Sequence, residues 1–494
     1  MKPAKFDLFV IQLAALAAFL LNLSGCLSVG PDFSPPSSKL QTDWHDAPSL
    51  PSAVSAESFW SSFHDATLLQ LIALANKNNP GVASAAQAIE QAEAVLHIDQ
   101  GNRLPSASLN GSSQYQQPTI SSELLGKNNG ATTRQLLGQL NWELDFWGKY
   151  RRAVEADRAS VAVAQSALAA ARTSLEASVA STYSTVRMLE KRIEVARQNL
   201  TEQAENLRIA QARYRLGATS ELDFRQSQTQ FEQTNAQLPV LQIGLEQSQH
   251  ALSILLGETP DYFVKNFPAG TGMPAFPTML PLGAPSDLLR RRPDVLQTEY
   301  AAAAQSARIG VAKAALYPSF TLNGAIGYSS TDGISNLFKW DNRAVAYGIG
   351  FNLPLFDRER ISGQVKVQDS LFTQAVLAYQ NQVLKAQQEV EDALSAIAGN
   401  SLQLANLQQA DKAAARTSLL AQLRYRAGQV DYTTVSSAVQ AHLQTSDSTV
   451  QAEGSVLQAY ISAFRALGGG WDPLNSNANA NANAMVNLNF GQTN

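Results

Sequence analysis

The side chains that could carry chemistry are few in this chain of 494 residues, and their spacing builds no catalytic constellation. Five histidines, His45, His64, His97, His250 and His442, stand far apart, without the short intervals that bring two imidazoles onto one metal. No glycine-rich loop follows a strand to cradle a phosphate. The net charge of −4 and a pI near 5.8 leave no basic stripe to neutralise a phosphate backbone, so nucleic acid is not an expected partner. The residues therefore predict no enzyme, no metal and no bound cofactor. One thiol remains, Cys26, and its place in the chain gives it a use.

Cys26 closes an N-terminal segment with Lys2 and Lys5, an apolar run from Leu8 to Leu21, and the small residues Ser24 and Gly25. That is the layout of a secretory signal, too short to span a bilayer as a helix. Leu23-Ser24-Gly25-Cys26 is similar to the lipobox of bacterial lipoproteins, which implies removal of residues 1–25 and a covalent lipid on Cys26. A buried core thiol is the competing reading, but a core cysteine has no reason to end an apolar signal. Leu27 follows, where an aspartate would argue for retention at the inner membrane. No later stretch approaches the ~20 apolar residues of a membrane helix, so any span must be built from strands.

The elements around these residues occur twice. Matches recur at a shift of about 211 to 213 residues, a period that signals duplication rather than a solenoid. Asn79-Pro80-Gly81-Val82 answers Arg292-Pro293-Asp294-Val295, and Arg213-Tyr214-Arg215-Leu216-Gly217 answers Arg424-Tyr425-Arg426-Ala427-Gly428. The expected organisation is an N-terminal girdle segment over 26–65, a first repeat over 66–256, a Pro- and Gly-rich equatorial linker over 257–285, and a second repeat over 286–467. A girdle segment with a low-complexity Asn-Ala tail, expected to be disordered, follows over 468–494.

Each repeat contains a strand pair, at about 104–116 and 133–147 in the first and about 318–330 and 343–356 in the second. Leu136, Gly138, Leu140, Trp142, Leu144 and Phe146 interleave with Gln135, Gln139, Asn141, Glu143 and Asp145, a period of two with one greasy face. Val345, Tyr347, Ile349 and Phe351 alternate with Ala346, Gly348, Gly350 and Asn352 in the last strand. A soluble sandwich also alternates, but needs more than four strands. A membrane barrel needs more as well, because open edges do not sit in lipid, and oligomerisation supplies them. Two copies give eight strands and three give twelve; the arithmetic does not choose.

The helices are long. Tyr150 to Tyr214 would span roughly 97 Å and Arg360 to Tyr425 roughly 99 Å at 1.5 Å per residue. A seven-residue apolar recurrence marks each: Val154, Val161, Leu168, Leu175 and Leu189, then Val376, Val383, Val390, Ile397 and Leu404. Shorter helices, Ala66 to Gln100 with Glu221 to Leu256 and Ser286 to Leu316 with Asp431 to Leu467, sum to about one long helix in each half. Stacked end to end, they would line it.

On Cys26 with Gly30-Pro31-Asp32-Phe33, on Leu288-Leu289-Arg290-Arg291-Arg292-Pro293-Asp294-Val295, on Ile309 to Ser319 and on the two Arg-Tyr-x-x-Gly turns, the chain resembles the TolC-like outer-membrane factors. These are the outer-membrane efflux lipoproteins of tripartite pumps. The resemblance covers almost the whole mature chain. It implies an α+β membrane protein whose homotrimer forms a 12-stranded β-barrel, four strands per chain, continued by a periplasmic α-helical coiled-coil barrel closed at its far end. It also implies passive conduction of small molecules such as drugs, from a periplasmic adaptor and an RND-type inner-membrane transporter to the outside. Metal-ion efflux or type I protein secretion would use the same fold, and a non-conducting coiled-coil envelope lipoprotein is the reading from a different class.

The resemblance implies that the turns with Arg213, Gly217, Arg424 and Gly428 are tips that dock the adaptor. Plain helix caps, with arginines favoured by the helix dipole, explain the same residues. Related channels carry acidic constriction residues two and three turns past the second glycine, where this chain has Thr434 and Ser437, so that carry-over fails. Asp431 is left as the candidate constriction with Thr434, against the simpler role of a helix N-cap. Glu143 and Asp145 would bias a lumen toward cations or merely be solvated.

Overall fold

The computed structural model describes residues 28–45, 56–117, 130–270, 272–277, 280, 285–287 and 291–469. Cys26, the signal segment and the Asn-Ala tail lie outside these. The helices in chain order are α1 (Ala56–Ser61), α2 (Ala66–Asn78), α3 (Pro80–Asn102), α4 (Lys149–Arg215), α5 (Glu221–Leu255), α6 (Tyr262–Asn266), α7 (Pro293–Ala314), α8 (Arg358–Arg426) and α9 (Tyr432–Ala466). The strands are β1 (Ser106–Gln116), β2 (Ala131–Leu144), β3 (Ser319–Ser330) and β4 (Arg343–Asn352). Two compact units divide the chain, one of residues up to Pro36 with Ala88–Ala164 and Thr298–Tyr379, the other of Ser37–Gln87, Gln165–Gln297 and the residues from Gln380 onward.

The first unit holds an antiparallel sheet in the order β1-β2-β3-β4. Its register turns the alternation of the sequence into one continuous surface. Leu109, Gly138, Ile326 and Val345 lie side by side across the four strands, then Ala107, Leu140, Gly324 and Tyr347, then Trp142, Leu322 and Ile349, then Leu144, Phe320 and Phe351. The opposite face carries Ser108, Gln139, Ala325 and Ala346, with Asn141 and Asn323 in the next row. A one-residue slip would mix the faces, so the side chains themselves fix the register. Aromatic pairs mark both ends of the strands. Trp147 stacks on Tyr317 at 4.7 Å and Phe146 meets Phe320 edge-on at 5.3 Å at one end, while Tyr328 meets Phe338 at 5.6 Å at the other.

Several boundaries differ from the sequence expectation, each for a local reason. The helix expected over Ala66 to Gln100 is two helices, because Asn79 precedes Pro80 and proline pushes the residue before it out of the helical region. Asn79 is extended, and its side chain accepts from Gly81 N at 2.8 Å and Val82 N at 3.3 Å, so it caps α3 with proline in the first helical position. The matching Pro293 starts α7, later than Ser286. β4 stops at Asn352, short of 356, two residues before Pro354, which has no N–H to give a ladder. β2 stops at Leu144, short of 147, where the Phe146 amide turns back onto the Leu144 carbonyl.

The second unit has its own core. Phe59, Trp60, Phe63 and Phe464 form an aromatic cluster with ring centroids 4.4 to 5.7 Å apart. Leu68, Leu71, Tyr183, Leu252, Leu457 and Ile461 pack with it. Trp60 of α1 and Asn76 of α2 both donate to Glu176 of α4, at 3.0 and 2.8 Å, so one carboxylate joins three helices beside the cluster. Asp65 caps α2 and also accepts the Tyr183 hydroxyl at 2.7 Å.

Arg292 ties three helices of this unit together. Its buried guanidinium donates to both oxygens of Asp294, at 3.0 and 2.6 Å, to Glu389 at 2.7 Å and to the Ala466 carbonyl at the end of α9, at 2.8 Å. Gln382 completes Asp294 at 2.7 Å. The start of α7, the middle of α8 and the end of α9 are thus held by one side chain. Burial pushes the Asp294 carboxyl up, but the hydrogen bond and charge of Arg292 outweigh it and hold it below the usual carboxylate range. A lowered folded pKa contributes stability above the ordinary value and loses it as pH falls through the folded one. Melting temperature should therefore drop from about pH 4 downward more steeply in the parent than in Asp294→Asn. Arg292→Ala should cost about 2 kcal/mol, less than a fully buried pair because Glu389 is 43% exposed, and chemical denaturation at pH 7 measures it.

Candidate functional site

Two places in the chain combine unusual backbone with converging charge. The first is the pair of helix-ending turns in the second unit. At the end of α4 the Gly217 amide donates to Tyr214 O at 3.0 Å and the Ala218 amide to Arg213 O at 2.8 Å. At the end of α8 the Gly428 amide donates to Tyr425 O at 3.0 Å and the Gln429 amide to Arg424 O at 2.9 Å. Both are Schellman caps, which close the last carbonyls and require a left-handed residue. Gly217 has φ +69° and Gly428 φ +75°, as the sequence expectation required. A Cβ at Gly217 would meet nothing within 4 Å, and one at Gly428 only Arg213 at 3.9 Å. The demand for glycine is thus backbone strain and not crowding.

The two arginines of these turns have different jobs. Arg213 donates from Nη1 to the Tyr425 carbonyl at 2.7 Å, and its guanidinium lies over the Tyr425 ring at 4.7 Å. It fastens the end of α4 to the end of α8. Tyr425 is itself 2% exposed and meets Tyr432 edge-on at 5.7 Å, within a small core with Val435, Ala438 and Val439. Arg424 is exposed, as are Arg215 and Arg426, which the sequence reading passed over. Leu216 is 84% exposed beside Gly217. The matching Tyr214 is not buried but stacks on Phe224, with Arg225 over the other ring partner at 5.1 Å.

Asp431 is the N-cap of α9. Its carboxylate accepts the Thr434 amide at 3.3 Å and the Thr434 hydroxyl at 2.9 Å, so the two candidate constriction residues satisfy each other. Glu143 and Asp145 are committed in the same way. Glu143 accepts from Lys149 at 3.1 Å and Tyr150 at 2.7 Å, and Asp145 accepts the Tyr150 and Arg151 amides at the start of α4, at 3.2 and 3.0 Å. Asp145 lies past the end of β2, so both acids anchor a helix start rather than present free charge along a strand.

The second place is where the N-terminal segment meets the first unit. Gly30 has φ +106°, and a Cβ there would sit 2.5 Å from Gly310 Cα, so two glycines bring this segment against α7. Arg152, buried at the start of α4, donates to Asp32 at 2.7 Å, to Glu155 at 2.7 Å and to Val29 O at 3.3 Å. The Val29 amide donates to Trp147 O at 3.1 Å. The motif Gly30-Pro31-Asp32 thus docks beside Trp147, which donates to Pro318 O at 2.7 Å next to the first residue of β3. Among the described residues no group of three or more His, Cys, Asp or Glu is arranged to hold a metal ion.

The family profile described as outer membrane efflux protein matches residues 71–258 and 284–469. Nodulation protein T of Rhizobium leguminosarum bv. viciae is 32% identical over 391 residues, 78% of this chain and 78% of its own. The solvent efflux pump outer membrane protein SrpC of Pseudomonas putida is 28% identical over 466 residues, 92% of this chain and 97% of its own. Of solved structures, that of the outer-membrane channel OprN matches with a TM-score of 0.82 at 27% identity, covering 90% of this chain and 100% of that one. With the four-stranded sheet, the paired long helices and the family match over most of its length, the chain belongs to the outer membrane efflux proteins and has the fold of their TolC-like channels.

Proposed function

We propose that three copies of the chain close a 12-stranded barrel and form the exit duct of a tripartite pump, passing small organic molecules from the periplasm to the outside. The observation that carries this is the sheet. Its apolar face is continuous across all four strands and open to solvent in the single chain, with Tyr347 91% exposed and Ile349 72% exposed. From Phe320 to Tyr328 that face runs about 26 Å along a strand, which at the tilt of barrel strands stands about 20 Å high, and aromatic pairs flank it as girdles flank the apolar band of outer-membrane barrels. β1 and β4 each have one strand neighbour, so both outer edges are free to pair with another copy. The internal duplication that supplies two strand pairs per chain is supported by the repeat of hairpin, long helix, glycine turn and helix.

In this reading Cys26, two residues before Ser28 in the chain, carries the lipid. The turns at Gly217 and Gly428 face a periplasmic adaptor, with Leu216 and the exposed Arg424 as its contacts, and Arg213 holds the two turns together. An RND-type inner-membrane transporter feeds the adaptor. The name of the relative SrpC, a solvent efflux pump protein, supports small apolar cargo.

Native mass determination in detergent should return three chains per particle; a stable monomer or dimer would remove the barrel. Cys26→Ala, exported behind an ordinary secretory signal, should still fractionate with the outer membrane, since one lipid group anchors weakly beside a barrel's apolar band. Gly217→Leu with Gly428→Leu should cost on the order of 1 kcal/mol per site, because only φ strain opposes the side chain. Such a variant should assemble as trimers while drug efflux and crosslinking to the adaptor fall. Normal crosslinking and efflux would make the glycines caps alone.

A further inference from the structure

The four strands hold three charged side chains, and their places are unequal. Glu143 is on the polar face at the helix end of β2, opposite Thr321 and bonded to Lys149 and Tyr150. Arg134 and Arg343 are on the apolar face, at its other end. Arg134 keeps the two-residue step of Leu136, Gly138 and Leu140 along β2, and Arg343 keeps that of Val345 and Tyr347 along β4. On β3 Arg134 stands opposite Ser330, and Arg343 opposite Tyr328. The register therefore puts their Cα atoms about 12 Å apart, two strand spacings across and one two-residue step along.

The connection from β3 to β4 extends this rim. Trp340 is 72% exposed, with the Arg343 guanidinium over its ring at 4.3 Å, and Phe338 and Lys339 are exposed in the same connection. Tyr115 on β1, opposite Thr132, is exposed one row further out on the same face. No carboxylate of the described residues pairs with Arg134, Lys339 or Arg343, although the exposed Asp332 and Asp341 share the connection. Where the strands meet the helices, Lys149, Arg151 and Arg360 are instead paired with Glu143, Asp145 and Asp357.

A guanidinium in apolar surroundings is costly unless an anion or water meets it. At the rim of a lipid-facing surface it avoids that cost by reaching the headgroups, and snorkelling alone explains one such residue. Here two guanidiniums and an ammonium gather at one end of the face, with none along its middle and with aromatic rings among them. A planar guanidinium takes two phosphate oxygens at once, so the pair suits a headgroup with a phosphate at each end. We propose that this rim binds a bisphosphorylated glycolipid of the outer leaflet, the chemistry of lipid A. Its phosphates meet Arg134 and Arg343, with Lys339 beside them in the connection, and its acyl chains lie on the apolar face below. The proposal rests on the channel reading, which turns the strand connections toward the outside.

Native mass spectrometry of the purified full-length protein in mild detergent, titrated with lipid A, reads bound lipid and chain number in the same spectra. The parent should bind lipid A in preference to phosphatidylglycerol and phosphatidylethanolamine, and should bind the monophosphorylated form more weakly than the bisphosphorylated one. Arg134→Gln and Arg343→Gln should each weaken lipid A binding about fivefold, and together about thirtyfold, while Arg134→Lys with Arg343→Lys should recover part of the loss. Equal binding by the parent and the double glutamine variant would overturn the proposal. So would equal binding of lipid A and phosphatidylglycerol, which would reduce the rim to snorkelling arginines. A particle of three chains indifferent to these substitutions would sink the lipid site and leave the channel standing, whereas a stable monomer would sink the channel itself and this site with it.

Discussion

A backbone N–H or C=O in lipid must find its partner within protein, and a sheet of four strands leaves two edges that cannot. Much of this chain follows from that constraint. The pair β1–β2 and the pair β3–β4 each deliver the chain into a helix of nearly seventy residues, α4 or α8. The β2–β3 ladder then joins the two pairs, so a single chain makes one uninterrupted apolar surface rather than two hairpins. The residues at the strand ends serve the same end. Glu143, Asp145, Lys149 and Tyr150 bond one another where strand becomes helix, which places the polar groups of the α4 start in a closed network beside the apolar face.

The sheet and the long helices were legible because each rests on a period that a single sequence displays. Alternation put Leu136 to Leu144 and Val345 to Phe351 on one face, and the register joins those residues row by row. Glycine after an arginine-rich last turn announced the Schellman caps at Gly217 and Gly428. The local pre-proline rule could have found the break at Asn79, since the pair Asn79-Pro80 was already matched to Arg292-Pro293.

What the sequence hid was pairing across distance. Arg292 and Asp294 stood out only as part of a shared motif, and nothing in their neighbourhood names Glu389, Gln382 or the Ala466 carbonyl as their partners. Arg213 and Arg424 occupy matching places in the two Arg-Tyr-x-x-Gly turns, yet one is spent on Tyr425 and the other is exposed. The two Arg-Tyr-x-x-Gly turns carry the same local signals. The asymmetry comes from Tyr425 turning inward onto Tyr432, while Tyr214 stacks outward on Phe224. The same holds for Asp431 and Thr434, whose capping bond is local but competes with a role that only an assembled pore would define.

The turns and a polar stretch of α4 divide the mechanics of the second unit between them. Each turn is closed by two backbone bonds, and Arg213 ties the first to the second, so the end of the helical bundle is stiff along its own chain path. Sideways cohesion is another matter. A coiled coil holds together by apolar layers, and here Gln203, with Asn199 and Asn206, replaces them for about two turns of α4. Polar layers of this kind keep register while giving up stability, since a slipped amide loses the few partners it has. The aromatic core around Phe59, Trp60 and Phe464 and the Arg292 network hold the helices elsewhere in the unit, the first by apolar packing and the second by one buried guanidinium shared among α7, α8 and α9.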